Sequence, residues 1–226
     1  MEESLIEWLE KQQEASTMSA EQIPLTEVSQ PWGMNEGNYQ RVMKDYFRVI
    51  GLFVKDPLGN VKQWFQPILE ELGLERGIIT LVIEETHGKI LLLAKAEPGN
   101  DSKGCALLAP SLQASQANLN QAHGGQKPPL AEILDMPEGT TLLHQSLQPE
   151  DGGRFFRKKL DFRIISVPNP ETIASITTNK HRWSTRIEIA QAMLNNKMCN
   201  QHLREAISIL DSLNMIETAE SEQTNP

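Results

Sequence analysis

The spacing of apolar residues changes twice along the chain. Residues 2–14 place apolar side chains three and four positions apart among Glu and Lys, which predicts a short amphipathic helix. Residues 16–30 are rich in Ser, Thr, Glu and Gln and contain Pro24, which is typical of a linker. We therefore expect an N-terminal helix and linker over residues 1–30, ahead of the main folded unit.

After this linker, the pattern becomes that of β-strands. Four β-branched or Leu-rich runs are separated by turn-forming sequences, at residues 47–54, 61–66, 78–83 and 89–96. Consecutive strands joined by short turns predict a β-meander. Two later runs, residues 105–115 and 162–167, predict further strands.

The last third of the chain returns to helical spacing. Apolar residues recur three and four positions apart over residues 170–176, 185–195 and 201–213, while residues 129–134 resemble a single helical turn. Residues 216–226 are polar and acidic, which predicts a flexible tail. A sheet followed by helices indicates an α+β domain with a mixed sheet flanked by helices.

Charge narrows the classes of partner. The 226 residues include 21 Lys and Arg against 30 Asp and Glu, a formal net charge of −9, and no basic run. Nucleic acids and anionic membranes attract clustered cations, so we expect neither as a partner. The N-terminus is acidic and no apolar run approaches the length of a membrane span, which predicts a cytoplasmic protein.

The two cysteines, Cys105 and Cys199, lie far apart in the sequence, without a Cys-x-x-Cys pair or a nearby pair of histidines. This spacing indicates neither a zinc site nor a disulfide framework. We expect two free thiols and no metal site.

A lysine and a glutamate occur two positions apart at the end of one predicted strand. Lys95 and Glu97 therefore point to the same face, just before a Pro-Gly turn. One interpretation is an exposed ion pair. The other is a pocket in which the carboxylate accepts a proton and the ammonium stabilises negative charge.

Two other polar segments allow both a structural and a functional interpretation. Four cations fall within residues 154–159 of this acidic chain and are either a solvated charge run or a diphosphate site. His123 precedes two glycines and is either a loop residue or an acid–base group.

Residues 70–74, Glu-Glu-Leu-Gly-Leu, imitate the end of the metal-binding helix of Nudix hydrolases. Gln66 and Pro67 occupy the preceding Arg-Glu positions, and Leu52 and Leu58 occupy the upstream Gly and Glu positions. The carboxylate set that would hold Mg²⁺ is therefore incomplete. Metal-dependent pyrophosphate hydrolysis through this motif is excluded.

Several polar segments occur in order across residues 20–213. They are Trp-Phe-Gln-Pro-Ile at 64–68, Ala-Lys-Ala-Glu-Pro-Gly-Asn at 94–100, Pro-Ser-Leu-Gln-Ala-Ser at 110–115, Asn118, His-Gly-Gly at 123–125, Glu150 to Lys158, and His-Arg-Trp at 181–183. In order and spacing these segments resemble the nucleotide-diphospho-hexose 2,3-dehydratases of deoxysugar biosynthesis. The resemblance implies a Nudix-like unit over residues 31–215 that lacks the Nudix metal box.

Members of that family carry two such units in one chain, whereas this sequence contains one. The resemblance therefore implies a homodimer in which a second copy rebuilds the tandem arrangement. It also implies a nucleotide-diphosphate sugar as substrate and no cofactor, because a 4-ketone already acidifies the neighbouring C3 proton.

The resemblance implies a role for each matching side chain. Glu97 or Glu150 is the expected base, Lys95 the partner of the enolate or leaving group, and His123 the candidate acid. The expected substrate contacts are Gln113, Ser115 and Asn118 at the sugar hydroxyls, Arg157, Lys158 and Arg182 at the diphosphate, Trp64 or Trp183 at the nucleotide base, and Gln66 beside Trp64.

The sequence departs from the family pattern at five positions of the expected pocket. They are Leu93, Gln116, Leu119, Leu160 and Asp161. Three functions are consistent with these departures: elimination of the C2 hydroxyl from a nucleotide-linked 4-keto-6-deoxyhexose, dehydration of a different β-hydroxy ketone, or binding of a nucleotide sugar without turnover.

Overall fold

A computed structural model of the chain describes residues 3–29, 31–42, 47–71, 76–121, 126–195 and 198–223. These residues form a four-stranded sheet, a seven-stranded sheet and a small number of helices. The expected α+β class is therefore confirmed.

The first sheet is an antiparallel meander in the order β1-β2-β3-β4. Its strands are β1 (Trp32–Asn35), β2 (Asn38–Arg41), β3 (Phe47–Lys55) and β4 (Gln63–Glu71). Phe53 and Phe65 are opposite each other on β3 and β4. Their rings stack with centroids 4.8 Å apart, although 49% and 80% of these residues are exposed.

The second sheet has the order β11-β6-β5-β10-β9, with β7 paired to β6 and β8 paired to β5. Its strands are β5 (Gly77–Glu84), β6 (Ile90–Ala96), β7 (Ala106–Ala109), β8 (Leu112–Ser115), β9 (Thr141–Pro149), β10 (Lys159–Val167) and β11 (His181–Ser184). The β5 and β10 strands are parallel, and the other pairs are antiparallel.

The expected meander of four consecutive strands is wrong, because the chain changes sheet between β4 and β5. Burial explains the division. No residue of β3 is fully buried and its second half alternates between exposed and half-buried positions, whereas nearly every residue of β5 is buried. A strand buried on both faces belongs in the centre of a covered sheet rather than beside a solvated strand.

Besides the two sheets, the described structure contains helices and short helical turns. The α-helices are α1 (Leu5–Ala15), α2 (Gln116–Leu119), α3 (Arg186–Leu194) and α4 (Gln201–Gln223), and the 3₁₀ turns are Leu25–Glu27, Lys103–Cys105, Ala131–Asp135 and Pro170–Ile176. Ser4 and Thr185 begin α1 and α3 with reciprocal hydrogen bonds to Glu7 and Glu188. The α4 helix continues to Gln223, within the segment expected to form the acidic tail.

The hydrophobic core has two parts, one on each face of the second sheet. On one face, β5, β6 and β10 pack against α1, α3 and α4; Leu5 and Leu9 of α1 are almost fully buried there. On the other face, Leu130, Ile133 and Ile173 cover Val82 and neighbouring residues. The N-terminal helix therefore contributes directly to the main core.

Both cysteines are buried free thiols, as expected. No helix in the described ranges has both the length and the apolar character needed to cross a membrane.

Candidate active site

A cavity of about 540 Å³ lies where the two sheets meet the beginning of α4. The segment between β9 and β10 connects the sheets, because Leu69 of β4 receives a hydrogen bond from the Phe156 amide at 2.7 Å and donates to the Arg154 carbonyl at 2.9 Å. The cavity wall therefore includes residues from β3, β4, β5, β6, β8 and α4.

One group of polar side chains on the cavity wall centres on Glu97. Lys95 Nζ lies 2.6 Å from Glu97 Oε1, and Gln113 Nε2 donates to the same oxygen at 3.1 Å. Asn200 Nδ2 donates to Gln113 Oε1 at 2.7 Å. These contacts join the end of β6 to β8 and to the residue preceding α4.

A second group centres on Lys158. Its Nζ lies 2.9 Å from Glu71 Oε1 and 3.5 Å from Glu150 Oε2. The side chains are 14%, 18% and 4% exposed respectively, so two largely buried carboxylates share one ammonium. His202 Nε2 lies 4.0 Å from Glu150 Oε1, and His202 Nδ1 lies 3.1 Å from Glu205 Oε2.

Local backbone features shape the cavity between these groups. Gly77 is part of the wall, and a Cβ at this position would lie 2.4 Å from Leu160 Cδ2. Ser115 precedes α2 and its hydroxyl accepts a hydrogen bond from the Asn118 amide at 3.2 Å. Cys199 also lines the cavity, and burial raises the pKa of its thiol to about 11 despite the nearby Arg204.

Seven of the expected site residues line this cavity. They are Lys95, Glu97, Gln113, Ser115, Asn118, Glu150 and Lys158. His123 lies outside the described residues. The segments carrying the seven residues are far apart in sequence, and the fold brings them to one cavity.

The two tryptophans and Gln66 are not on the cavity wall. Trp64 Nε1 donates to Gln66 Oε1 at 2.7 Å, and both residues are on β4 in the four-stranded sheet. Trp183 packs against the core on the far face of the second sheet.

Two expected diphosphate contacts are also elsewhere. The Arg157 guanidinium lies 4.8 Å from the centroid of the Phe156 ring. Arg182 binds the backbone carbonyl and the carboxylate of Glu3, and its guanidinium is 3.7 Å from Glu188. Arg182 therefore connects α1 to the residues around α3.

Seven further polar residues on the wall were not among the expected site residues. They are Glu71, Asn100, Arg154, Asn200, Gln201, His202 and Arg204. Asn100 and Arg154 belong to segments that resemble the family, so their positions could have been found. Asn200, His202 and Arg204 reach the cavity because the backbone around Cys199 pairs with Leu108 of β7, a long-range contact that no local pattern indicates.

A second cavity of about 310 Å³ adjoins the first and shares Lys95, Gln113 and Asn118 with it. Two departures from the family pattern fall on these walls: Leu160 lines the first cavity and Leu93 the second. In contrast, Asp161 is bound by Gln145 at 2.8 Å and by Arg163 at 2.9 Å.

The Nudix-like pair Glu70-Glu71 lies on β4 rather than on a helix, and Arg48 Nε is 2.5 Å from Glu70 Oε2. Within the described ranges, no group of three or more His, Cys, Asp and Glu side chains is arranged to hold a metal ion. The cavity instead combines three carboxylates, four cationic side chains and one histidine. This composition suits acid–base chemistry on a polar, anionic small molecule.

Comparison with known proteins identifies the family. The family model described as NDP-hexose 2,3-dehydratase matches residues 2–210, and the chain belongs to this family. Similar curated proteins are named dTDP-4-dehydro-6-deoxy-α-D-glucopyranose 2,3-dehydratase. One from Amycolatopsis orientalis is 30% identical over 90% of this chain and 43% of its own length, and one from Saccharopolyspora spinosa is 27% identical over 91% and 41%.

The chain thus spans less than half the length of these relatives. Among solved structures, the complex between the C-terminal domain of mouse MUTYH and human PCNA contains a chain similar to this one at 16% identity. The match covers 63% of this chain and 90% of that chain with a TM-score of 0.36, which is too low to assign a fold.

Proposed function

We propose that this protein is a lyase that eliminates the C2 hydroxyl from a nucleotide-linked 4-keto-6-deoxyhexose. The observation that carries the proposal is the single cavity on which two carboxylate–cation groups converge, around Glu97 and Glu150. The names of the similar proteins supply the candidate substrate, dTDP-4-dehydro-6-deoxy-α-D-glucopyranose.

The proposed reaction needs only proton transfer. The C4 ketone acidifies the C3 proton, and the C2 hydroxyl is β to that ketone. A base removes the C3 proton, the electron pair forms an enolate, and the C2–O bond breaks as an acid protonates the departing hydroxyl to water. The resulting C2=C3 enol becomes a 3,4-diketone by protonation at C2, so no redox cofactor is required.

Charge balance favours Glu97 as the base. Lys95 and Glu97 form a one-to-one ion pair at 2.6 Å, and Gln113 adds a second donor to the carboxylate. These two donors hold the Glu97 carboxylate in a fixed position on the cavity wall. Lys95 is also placed to stabilise negative charge that develops on substrate oxygen.

The group around Glu150 suits the opposite role. Glu71 and Glu150 together carry two negative charges against the single charge of Lys158. Glu150 and His202, whose Oε1 and Nε2 lie 4.0 Å apart, are therefore the proposed source of the proton for the departing hydroxyl. His202 thus offers an imidazole among the described residues, while the role predicted for His123 stays a prediction.

Two arginines on the cavity wall are the proposed diphosphate contacts. Arg154 and Arg204 line the cavity, and a guanidinium presents a planar fork suited to phosphate oxygens. Arg157 and Arg182 are not on the cavity wall, so we assign the diphosphate to Arg154 and Arg204 instead.

The direct test is to incubate the purified chain with the 4-keto-6-deoxyglucose nucleotide and to follow loss of water by mass spectrometry. Release of the nucleotide diphosphate is measured in parallel, because a C3 ketone acidifies C2 and makes the anomeric diphosphate a β leaving group. Water loss or nucleotide release above a no-enzyme control is the expected result. Intact but bound substrate would instead support a non-catalytic nucleotide-sugar-binding protein.

Two matched variants separate the base from the acid. In deuterated water, Glu150→Gln is expected to lose elimination but to keep deuterium exchange at C3, whereas Glu97→Gln should lose both. Glu132→Gln, which alters an exposed carboxylate outside the cavity, serves as the control. Retained C3 exchange in Glu97→Gln would contradict the assignment of Glu97 as base.

The departures from the family pattern on the two cavity walls are also consistent with a second class of substrate. Leu93 and Leu160 add apolar surface where the family pattern is polar. If the hexose nucleotide is neither bound nor changed, dehydration of another β-hydroxy ketone becomes the favoured function. A panel of keto sugars and keto acids tested for water loss would examine it.

We further propose that residues 31–215 form one Nudix-like unit and that two copies associate in a homodimer. The single unit corresponds to about two-fifths of each relative, so a second copy would restore a comparable number of units. We place the contact on the four-stranded sheet, where Phe53 and Phe65 are exposed.

Light scattering tests the homodimer. The measured mass should be twice the 25.4 kDa chain mass, and Phe65→Asp should reduce this mass. A monomer at micromolar concentration contradicts this proposal.

A further inference from the structure

Asn200 is held rigidly between the second sheet and α4. Its backbone amide donates to the Leu108 carbonyl at 2.9 Å, and the Leu108 amide donates to the Met198 carbonyl at 2.8 Å. Only 8% of Asn200 is exposed. Its side chain therefore has little freedom to move.

The direction of the Asn200 amide is fixed by a backbone group. The Leu203 N–H donates to Asn200 Oδ1 at 2.9 Å, and a backbone N–H acts only as a donor. The oxygen of Asn200 must therefore face α4, which leaves Nδ2 to donate to Gln113 Oε1 at 2.7 Å.

The orientation of the Asn200 amide also fixes the orientation of the Gln113 amide. Because its Oε1 accepts from Asn200, its Nε2 must face Glu97 Oε1, 3.1 Å away. Without Asn200, the Gln113 amide could turn over and present its carbonyl oxygen to the carboxylate, where two acceptors repel each other. One backbone N–H thus sets the orientation of two amides in succession.

Glu97 receives this donor and the Lys95 ammonium on the same oxygen, Oε1. No donor among the described residues reaches Oε2. A carboxylate fixed through one oxygen can present the other to substrate, which is the geometry that proton abstraction requires.

We propose that Asn200 is a positioning residue that acts through Gln113 to hold Glu97 ready for proton abstraction. This proposal rests on the proposed role of Glu97, but the hydrogen-bond relay itself can be tested without turnover. Asn200 serves two elements at once, because the same side chain begins α4 and orients Gln113.

Two substitutions separate these tasks. Asn200→Ser keeps an oxygen that can cap α4 but is too short to reach Gln113. Asn200→Asp also keeps the cap, but a carboxylate only accepts hydrogen bonds and would turn the Gln113 amide around. Asn195→Ser is the matched control, because Asn195 ends α3 and donates to the Gln191 carbonyl on an exposed surface.

The first measurement is the side-chain NH₂ signal of Gln113 in a ¹⁵N-labelled sample, assigned by its absence in Gln113→Met. We expect its chemical shift to change in both Asn200 variants. Its solvent exchange should become about 10-fold faster in Asn200→Ser, the effect of losing one hydrogen bond, whereas in Asn200→Asp the turned amide keeps a hydrogen bond to the new carboxylate. The Leu203 backbone amide should keep its protection. An unchanged Gln113 signal, or equal loss of protection at Leu203, would overturn the proposal.

The second measurement is steady-state kinetics. Asn200→Ser should lower kcat about 10-fold to 100-fold, as expected for a disturbed hydrogen bond to a charged group, with KM nearly unchanged. In a Gln113→Met background the same substitution should have no further effect. Additive losses would contradict action through Gln113. If the wild-type protein shows no turnover, the proposed function fails and the Gln113 signal alone decides the relay.

Discussion

Lys158→Met tests whether the Lys158 ammonium stabilises the fold by neutralising buried carboxylates. Its Nζ lies 2.9 Å from Glu71 and 3.5 Å from Glu150, and all three side chains are at most 18% exposed. Removing one partner of a buried ion pair typically costs about 3–5 kcal/mol, because the remaining charge stays buried without compensation. Since the cavity is open to solvent, we expect the lower value, about 3 kcal/mol.

Urea unfolding at pH 7 measures this loss. For a domain of this size the urea dependence is about 3 kcal/mol per M, so the midpoint should fall by about 1 M. The control is Arg154→Met, which breaks an ion pair to Asp151 at 2.8 Å whose side chains are 61% and 39% exposed. An exposed pair contributes less than about 1 kcal/mol, so this midpoint should move by no more than about 0.3 M.

A triple variant makes the reasoning refutable. Glu71→Gln, Glu150→Gln and Lys158→Met together leave no unpaired charge in this group, so the triple variant should recover most of the stability that Lys158→Met loses. Equal midpoint shifts for Lys158→Met and Arg154→Met would refute the role of buried charge. So would a triple variant no more stable than Lys158→Met alone.

Three further predictions concern stability and reactivity. Burial lowers the pKa of His181 from 6.5, so below pH 6.5 the unfolded state binds a proton more readily than the native state does. The free energy of unfolding should therefore fall as the pH drops below 6.5. His181→Gln should reduce this pH dependence in urea titrations. With a thiol pKa of about 11, only about one Cys199 in a thousand is a thiolate at pH 8. Iodoacetamide should therefore modify Cys199 slowly in the native protein and rapidly in urea, as counted by mass spectrometry; rapid native labelling contradicts this. Gly77→Ala brings a Cβ within 2.4 Å of Leu160 and should lower the unfolding free energy by about 2 kcal/mol, whereas Gly51→Ala, with open space around it, should be nearly neutral in the same assay.

The sequence predicted the elements of the second sheet better than their arrangement. The runs that form β5, β6 and β10 were visible because buried strands are long apolar segments. The pairing of these strands was not visible in the sequence. The β5 strand lies beside β10, which follows about 80 residues later, and no local pattern specifies such a contact. The β9 strand was missed since its residues are largely exposed.

The residues of the candidate site likewise differ in how well the sequence predicted them. Lys95 and Glu97 were found because polar residues at a strand end contrast with an apolar neighbourhood, and Gln113 was found through the family resemblance. Asn200 was not predicted as a site residue, because its contact with Gln113 depends on the backbone pairing between Leu108 and Cys199. Arg182 matched the family motif, yet it binds Glu3 at the start of the chain. A motif identifies which residues accompany a fold, whereas the tertiary contacts decide which of them face the cavity.

The cavity and the proposed contact between two copies are formed by different residues. Both carboxylate–cation groups come from the described residues of one chain, around Glu97 and Lys158. The exposed pair Phe53 and Phe65, where we place the contact between copies, belongs to β3 and β4 and is not on the cavity wall. A second copy is therefore expected to stabilise the four-stranded sheet that carries Leu69 and Glu71, and so to influence the cavity indirectly. Under this arrangement Phe65→Asp would weaken association and the stability of that sheet first, and would lower turnover only as far as the Glu71–Lys158 contact loosens.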